Sequence, residues 1–301
     1  MVVRRLLRGE TGPTGGPAFT DLLGTCTAWG DGVMTLVPDS ADSPGSPGSP
    51  GDGAPVVIAL ADVVSGKPVP PRPSHLTRVS ARAAEEHTLS LWPGMETVAL
   101  GEWVLRCAPE TDGRLIKRAN SCLAMGSPGR PVPAAASALV AFYRERGRQP
   151  MAQVERGSDV EREFAAAAWQ PFGSGDALFL AAPLAQLHRR LPPTEVVGLR
   201  LSQDSASDPR PVAEVPGGRA SAVLDGDWLA IHGLAVEPEQ RRRGLATALL
   251  GALVEWGAEC GARTVWLHVE DDNAPARALY DGLGFTVHHR VRYLVPEPSA
   301  P

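Results

Sequence analysis

The sequence predicts an α/β chain (α+β in the arrangement of its parts). Two related helix–strand–helix–strand units are expected, the first a degenerate copy of the second, behind a small all-β barrel. Three observations predict this. Segments at an offset of 114 residues resemble each other; the first 66 residues hold short apolar runs separated by turn residues; and a strand ending at Val236 runs through a glycine-containing turn into a helix.

The barrel comes first. Val2 to Leu6, Asp21 to Trp29, Met34 to Val37 and Val56 to Leu60 are β-type runs, and four or five such strands with turn signals make a small barrel over 1–66. Between the last two lies a Ser-Pro-Gly repeat from Ser43 to Gly51, too polar to bury a core and expected as a disordered hairpin tip. A proline-rich linker follows over 67–75.

The repeat organises the rest, with units expected over 76–190 and 191–301. Ala138 to Gly147 aligns with Ala252 to Gly261. Each is followed by a short strand (Met151 to Glu155, Thr264 to Glu270), a second helix, and a closing strand (Ala177 to Ala181, Val287 to Val295). Upstream, the first unit has a helix from Ser80 to Leu91 and strands at Glu96–Leu100, Trp103–Cys107 and Leu115–Leu123. The second has strands at Glu195–Leu201, Arg219–Leu224 and Trp228–Val236, with a loop from Gln203 to Arg210.

Composition narrows the function. Thirty-four acidic against 29 basic residues, a formal charge of -5, argue against a protein held to nucleic acid by phosphate neutralisation. Cys26, Cys107, Cys122 and Cys260 stand singly, with neither metal-ligand nor disulfide spacing, and are expected as buried thiols in a reducing cytosol. No metal site is expected. Arg4, Arg5 and Arg8 precede no apolar stretch of signal-peptide length, and no run reaches the ~20 apolar residues that span a bilayer. A cytoplasmic location without membrane partners is the expectation.

Chemistry concentrates after Trp228. The strand Trp228 to Val236 enters the turn Arg241-Arg242-Arg243-Gly244 and then the helix from Leu245, Ala246 and Thr247. Unpaired amides at a helix start, its dipole and close approach past small residues suit a pyrophosphate. Neither a dinucleotide fingerprint nor a Walker loop is present, so the residues alone predict a phosphate-bearing ligand.

Arg-x-x-Gly-x-Ala after a strand resembles motif A of the GNAT superfamily of N-acetyltransferases. The likeness continues through Arg263 to Glu270 and then Asn273, Arg277, Leu279, Tyr280 and the Leu283-Gly284-Phe285 ending. It covers Trp228 to Val295 specifically and fades upstream. The resemblance implies acetyl-CoA as acyl donor and direct transfer to an amine, without a covalent enzyme intermediate. It also implies that the backbone of Arg241, Arg242, Arg243, Gly244, Leu245, Ala246 and Thr247 holds the pyrophosphate. Leu234, Ala235 and Val236 would follow the pantetheine arm, a strand amide near Leu234 would stabilise the oxyanion, and Arg277 lies in the cofactor-binding helix. Asn273 would bond the same arm or cap its helix, and Tyr280 would protonate the departing thiolate.

The base has two candidates. His232, two residues before Leu234, matches a strand histidine of arylalkylamine N-acetyltransferases and has the ordinary pKa for proton transfer near neutrality, but a core histidine fits as well. Glu270, ending the neighbouring strand, is a rival base or a substrate anchor. Cys260, at a helix end, fits packing better than nucleophilic attack.

In the first copy Arg130 falls where Gly244 stands, and Pro128, Pro131 and Pro133 remove amide donors, so this unit has lost CoA binding. Trp92-Pro93-Gly94, Trp103 to Arg106 and Arg118 to Ser121 together look like actinobacterial tandem acetyltransferases, in which an SH3-like barrel precedes a degenerate and an intact GNAT unit. Some of those are described as histone-type acetyltransferases, others as N-acetylglutamate synthases. The acceptor stays open between two classes. A small amino acid such as glutamate would use a clamp from Arg118, Arg290 and Arg292; a protein lysine would use a groove lined by Asp271 and Asp272. The alternative to an enzyme is a non-catalytic acyl-CoA-binding sensor with a recruitment barrel.

Overall fold

The computed structural model describes residues 1–13, 15–38, 54–68, 75–109, 116–173, 176–192, 196–203 and 210–298. The Ser-Pro-Gly repeat, most of the proline-rich segment and most of the loop from Gln203 to Arg210 lie outside the described residues. The chain forms two compact units, Met1–Pro73 and Ser74–Pro301.

The first unit holds β1 (Val2–Thr11), β2 (Pro17–Gly30), β3 (Val33–Pro38), β4 (Val56–Ala59) and β5 (Val63–Lys67), all antiparallel in the order β4-β3-β2-β1-β5. Buried Val3, Met34, Leu36 and Ile58 form its core. A 3-10 turn of three residues, Leu60–Asp62, carries the chain from edge strand β4 to edge strand β5. Four strand spacings across a flat sheet come to ~19 Å, more than so short a turn spans, so the sheet must curl. Among the described residues no ladder joins β4 to β5 to close the expected barrel.

The second unit contains α1 (Ala81–Glu86), β6 (Glu96–Leu100), β7 (Trp103–Cys107), β8 (Cys122–Leu123), α2 (Val132–Glu145), β9 (Ala152–Glu155), α3 (Asp159–Ala166), β10 (Trp169–Pro171) and β11 (Ala177–Pro183). It continues with α4 (Leu184–Arg190), β12 (Arg200–Ser202), β13 (Val212–Val215), β14 (Gly218–Asp225), β15 (Trp228–Val236), α5 (Leu245–Glu259), β16 (Thr264–Glu270), α6 (Ala274–Leu283) and β17 (Thr286–Pro296). One sheet runs β12-β13-β14-β15-β16-β11-β17-β9-β8-β7-β6, with β10 added on β17. Among the described residues only the pairs β8/β9 and β15/β16 are parallel.

The element order β8-α2-β9-α3-β11 recurs as β15-α5-β16-α6-β17, with the last strand of each run placed beside the other run. β11 lies beside β16 of the later copy, pairing from Ala177↔Glu270 to Pro183↔Thr264, and β17 lies beside β9 of the earlier one. Helix α5 covers one face of the sheet, where Leu245, Leu249, Leu250, Leu253 and Val254 join Leu229, Ile231, Val265 and Leu267 in the largest core. On the other face Ala84 of α1 packs with Phe179, Trp228, Ala230 and Trp266.

Three local expectations change. The strand expected over Leu115–Leu123 is, in its described part, a 3-10 turn over Lys117–Asn120 followed by the two residues of β8. Asn120 is the reason: its Oδ1 accepts from the Ala108 amide at 3.2 Å and its Nδ2 donates to Ile116 O at 3.2 Å, replacing ladder bonds with side-chain bonds. Three short elements, β10, α4 and β13, were not expected, and of the strand expected over Glu195–Leu201 the described residues form only β12. The thiols also differ: Cys122 is buried, which pushes its pKa up to about 12, whereas Cys260 is exposed just past the end of α5.

Candidate active site

The site begins where two strands part. β15 and β16 pair at Trp228↔Thr264, Leu229↔Val265 and Ala230↔Trp266, and no farther. On the opposite edge of β15, Ser221 pairs with His232 and Arg219 with Ala235, so Gly233 and Leu234 together oppose one residue, Ala220. Gly233 has a φ of 64°, as a bulge of this kind requires. The bulge turns β15 away from β16 and leaves the edge from Ile231 to Val236 without a ladder partner on the β16 side.

The chain then passes a 3-10 turn (Pro238–Gln240) into Arg241, Arg242 (φ 62°), Arg243 and Gly244 (φ 78°). Gly244 caps α5 in the left-handed conformation, which glycine adopts without steric cost. The first bond of the helix runs from the Ala248 amide to Gly244 O at 2.9 Å. Among the described residues, nothing accepts from the six successive amides of Arg242, Arg243, Gly244, Leu245, Ala246 and Thr247. Arg241 folds back, its Nε donating to Val236 O at 3.2 Å, while Arg242 and Arg243 are exposed. A run of converging N–H groups at the positive end of a 15-residue helix is an anion site.

The equivalent turn of the first copy is closed. Glu102 Oε2 accepts from the Ser127 amide at 2.5 Å, and Ser127 Oγ accepts from Gly129 N at 3.2 Å. Prolines at 128, 131 and 133 remove further donors.

Beyond β16, Asn273 caps α6, its Oδ1 accepting from the Ala276 amide at 3.2 Å. Arg277 donates to Asp271 at both its carbonyl (2.8 Å) and Oδ1 (2.9 Å), so its guanidinium is engaged beside the helix start. Tyr280 is buried on the α5 side, edge-on to Phe285, and burial pushes its hydroxyl up to about 12. No described residue bonds that hydroxyl.

The two base candidates lie on the other face, where Trp228, Ala230 and His232 alternate along β15 and Trp266, His268 and Glu270 along β16. His232 is accessible to solvent on one side. Crowding by protein on the others, and then the charges of Arg210 and Arg219, push its pKa down to about 4. Glu270 holds Lys117 Nζ at 3.2 Å and has Arg118 Nη2 at 3.9 Å, which ties it to the 3-10 turn of the first copy.

Several expected acceptor contacts are spent elsewhere. Arg292 binds Asp176 through two nitrogens, at 2.7 and 2.8 Å, and Glu161 at 2.9 Å; Arg290 binds Asp271 at 3.1 Å. Arg292 is thus fully engaged, whereas Arg290 is held through one nitrogen and is partly exposed; Asp271 is held by Arg277 and Arg290. Sequence reasoning missed Glu85 and His268, whose Oε1 and Nε2 lie 2.7 Å apart under the parting strands. The available signal was a charged residue among the alanines of α1 and a polar alternation in an otherwise apolar strand. No group of three or more His, Cys, Asp or Glu suited to a metal occurs among the described residues, and no described helix is long and apolar enough to cross a membrane.

Residues 205–285 match the model of the acetyltransferase (GNAT) family, so this segment carries a GNAT acetyltransferase domain. The chain is 42% identical over 59 residues to the [ribosomal protein bS18]-alanine N-acetyltransferase of Escherichia coli K12, a match covering 20% of this chain and 40% of that protein. It is 44% identical over 62 residues to the mycothiol acetyltransferase of Clavibacter sepedonicus, covering 21% of this chain and 20% of the relative. The chain thus spans two fifths or less of these curated relatives. In fold it is similar to a GCN5-related N-acetyltransferase from Kribbella flavida, with a TM-score of 0.56, 14% identity, and coverage of 75% of this chain and 96% of that one.

Proposed function

We propose that this chain transfers an acetyl group directly from acetyl-CoA to a primary amine. The observation that carries the reading is the row of six uncommitted amides from Arg242 to Thr247, opened by the left-handed Gly244, immediately after a strand that has parted from its neighbour. The amides and the α5 dipole would hold the pyrophosphate. The free edge of Leu234, Ala235 and Val236 would bond the pantetheine arm, and a strand amide near Leu234 would receive the developing oxyanion. Tyr280, protonated throughout the physiological range, would give its proton to the leaving thiolate. Asn273 and Arg277, fixed by Ala276 and Asp271, shape the start of α6 beside this path.

For the acceptor we favour an amine with a carboxylate beside it, an amino acid or a chain terminus, over an exposed lysine in an acidic groove. Lys117 and Arg118 together outweigh Glu270 by one positive charge, and the charges of Arg210 and Arg219 bear on His232. The N-terminal sheet, which we take as SH3-like, would be an accessory module. The segment 76–190, with its parallel pair β8/β9, would be a second, degenerate GNAT-like unit retained as a wall and support for the first.

Calorimetry with acetyl-CoA and a thiol-release assay over an amine panel test the proposal. Binding in the micromolar range that Gly244→Glu abolishes, with thiol release on at least one amine, is the expected result. Binding without release on any amine would leave an acyl-CoA sensor; no binding at all would sink both readings.

A further inference from the structure

The register of β15 and β16 places His232 and His268 opposite one another, each two residues past the last pair, Ala230 and Trp266, and on the same face. His232 is open to solvent, whereas the side chain of His268 is 2% exposed and is held by Glu85, whose side chain is 0% exposed on α1.

Glu85 Oε1 meets a second imidazole, His289 Nε2, at 3.1 Å; His289 Nδ1 lies 2.8 Å from His288 Nδ1, and His288 Nε2 lies 3.1 Å from Leu76 O. Burial pushes the Glu85 carboxyl up, but the contacts with His268 and His289 outweigh it and hold the group well below its ordinary range. An ionised Glu85 is acceptor only, so His268 donates from Nε2. Its neutral ring then carries the lone pair on Nδ1, which meets no partner among the described residues.

We propose that His268, oriented by Glu85, accepts the proton that the amine loses; the assignment rests on the acyl-transfer reading above. The amine nitrogen forms its bond to the thioester carbon and the carbon–sulfur bond breaks with its electron pair on sulfur. The proton on nitrogen passes to Nδ1 of His268, and the sulfur takes one from Tyr280. The imidazolium so formed keeps its Nε2–H on Glu85, which offsets the new charge, the same logic by which a buried carboxylate supports a histidine base in serine hydrolases. The groups facing His268 are Glu85 from α1, His289 from β17 and Arg118 from the 3-10 turn, with the Trp266 and Phe179 rings edge-on at 5.6 and 5.1 Å. Burial, and then the charge of Arg118, discourage a resting positive charge on His268, which leaves it free to accept one.

The test uses the full chain with His268→Gln, which retains an N–H for Glu85 but no basic nitrogen, and His268→Ala, which opens space for added imidazole. Thiol release, acetyl-CoA affinity and the pH profile are measured for each. Both variants are expected to lose on the order of 100-fold in kcat with acetyl-CoA affinity kept within about twofold, and imidazole should restore His268→Ala in proportion to its unprotonated fraction. Glu85→Gln should alter the acidic limb of the pH profile. Wild-type turnover in His268→Gln, a loss that imidazole does not reverse, or an acidic limb that moves only with His232→Gln would overturn the assignment of His268 alone. A wild-type chain that binds no acetyl-CoA would overturn the acyl-transfer reading and this assignment together.

Discussion

Glu102 Oε2 takes the Ser127 amide at 2.5 Å in the first copy, at the turn whose counterpart in the second copy keeps six amides without a protein acceptor. On the function proposed above, the first turn supplies its own anion and the second takes one from solution. Acetyl-CoA should therefore titrate to one equivalent per chain in calorimetry, and two equivalents would show that the Glu102 contact opens.

Gly244→Ala tests the turn more gently than a carboxylate does. A φ of 78° in an L-residue costs about 1–2 kcal/mol, so a slightly lower Tm and weaker acetyl-CoA binding are expected together. Unchanged affinity would mean that the turn does not touch the ligand.

Tyr280→Phe should lower kcat about 10- to 100-fold with little change in acetyl-CoA affinity. Burial raises the pKa of this hydroxyl above its unfolded value near 10 to about 12. The folded state thus binds the proton more tightly, and the stability so gained is complete below pH 10 and is lost as pH rises through 12. Alkaline unfolding of the Phe variant should lack that increment.

Arg118→Gln is expected to raise KM about tenfold, roughly 1.4 kcal/mol, for an amine bearing a carboxylate, and to leave the corresponding amide unaffected. The ratio of the two acceptors in the thiol-release assay is the readout. An equal effect on both would remove Arg118 from acceptor selection.

Arg292→Met removes the cation that holds Asp176 and Glu161, whose side chains are 15% and 16% exposed. Glu161 would then lose this cation while Asp176 keeps Arg156 at 3.1 Å, and a loss of up to about 3 kcal/mol is expected in denaturant unfolding. In the wild type the Arg292 hydrogen bonds, against some burial, hold the Asp176 carboxyl below its ordinary range. That stability is present above pH ~4 and lost as pH falls through the lowered value, and the variant, which keeps Arg156 beside Asp176, should show a weaker acid dependence.

The parts of this structure legible in the sequence are those decided by neighbours along the chain. Trp228 to Val236 and Thr264 to Glu270 are strands to the residue because uninterrupted apolar runs end at turn residues. The amide-bearing turn announces itself through Gly244 and Ala246. The bulge had a signal too, a lone glycine at 233 within a strand. What was not legible depends on distant pairing. Glu85 and His268 are 183 residues apart, Lys117 and Glu270 are 153 apart, and no local pattern states that they meet. The 3-10 turn at Lys117 replaced a strand through the side chain of one residue, Asn120, whose two backbone bonds could be known only after folding.

The strand exchange explains why a copy that has closed its own anion turn persists at all. Because β11 fills the place between β16 and β17, a fragment beginning after Pro183 would leave both of those flanks raw, inviting pairing with any passing chain. The silent half is thus a permanent lodger in the working half's architecture. Losing it would unravel its neighbour.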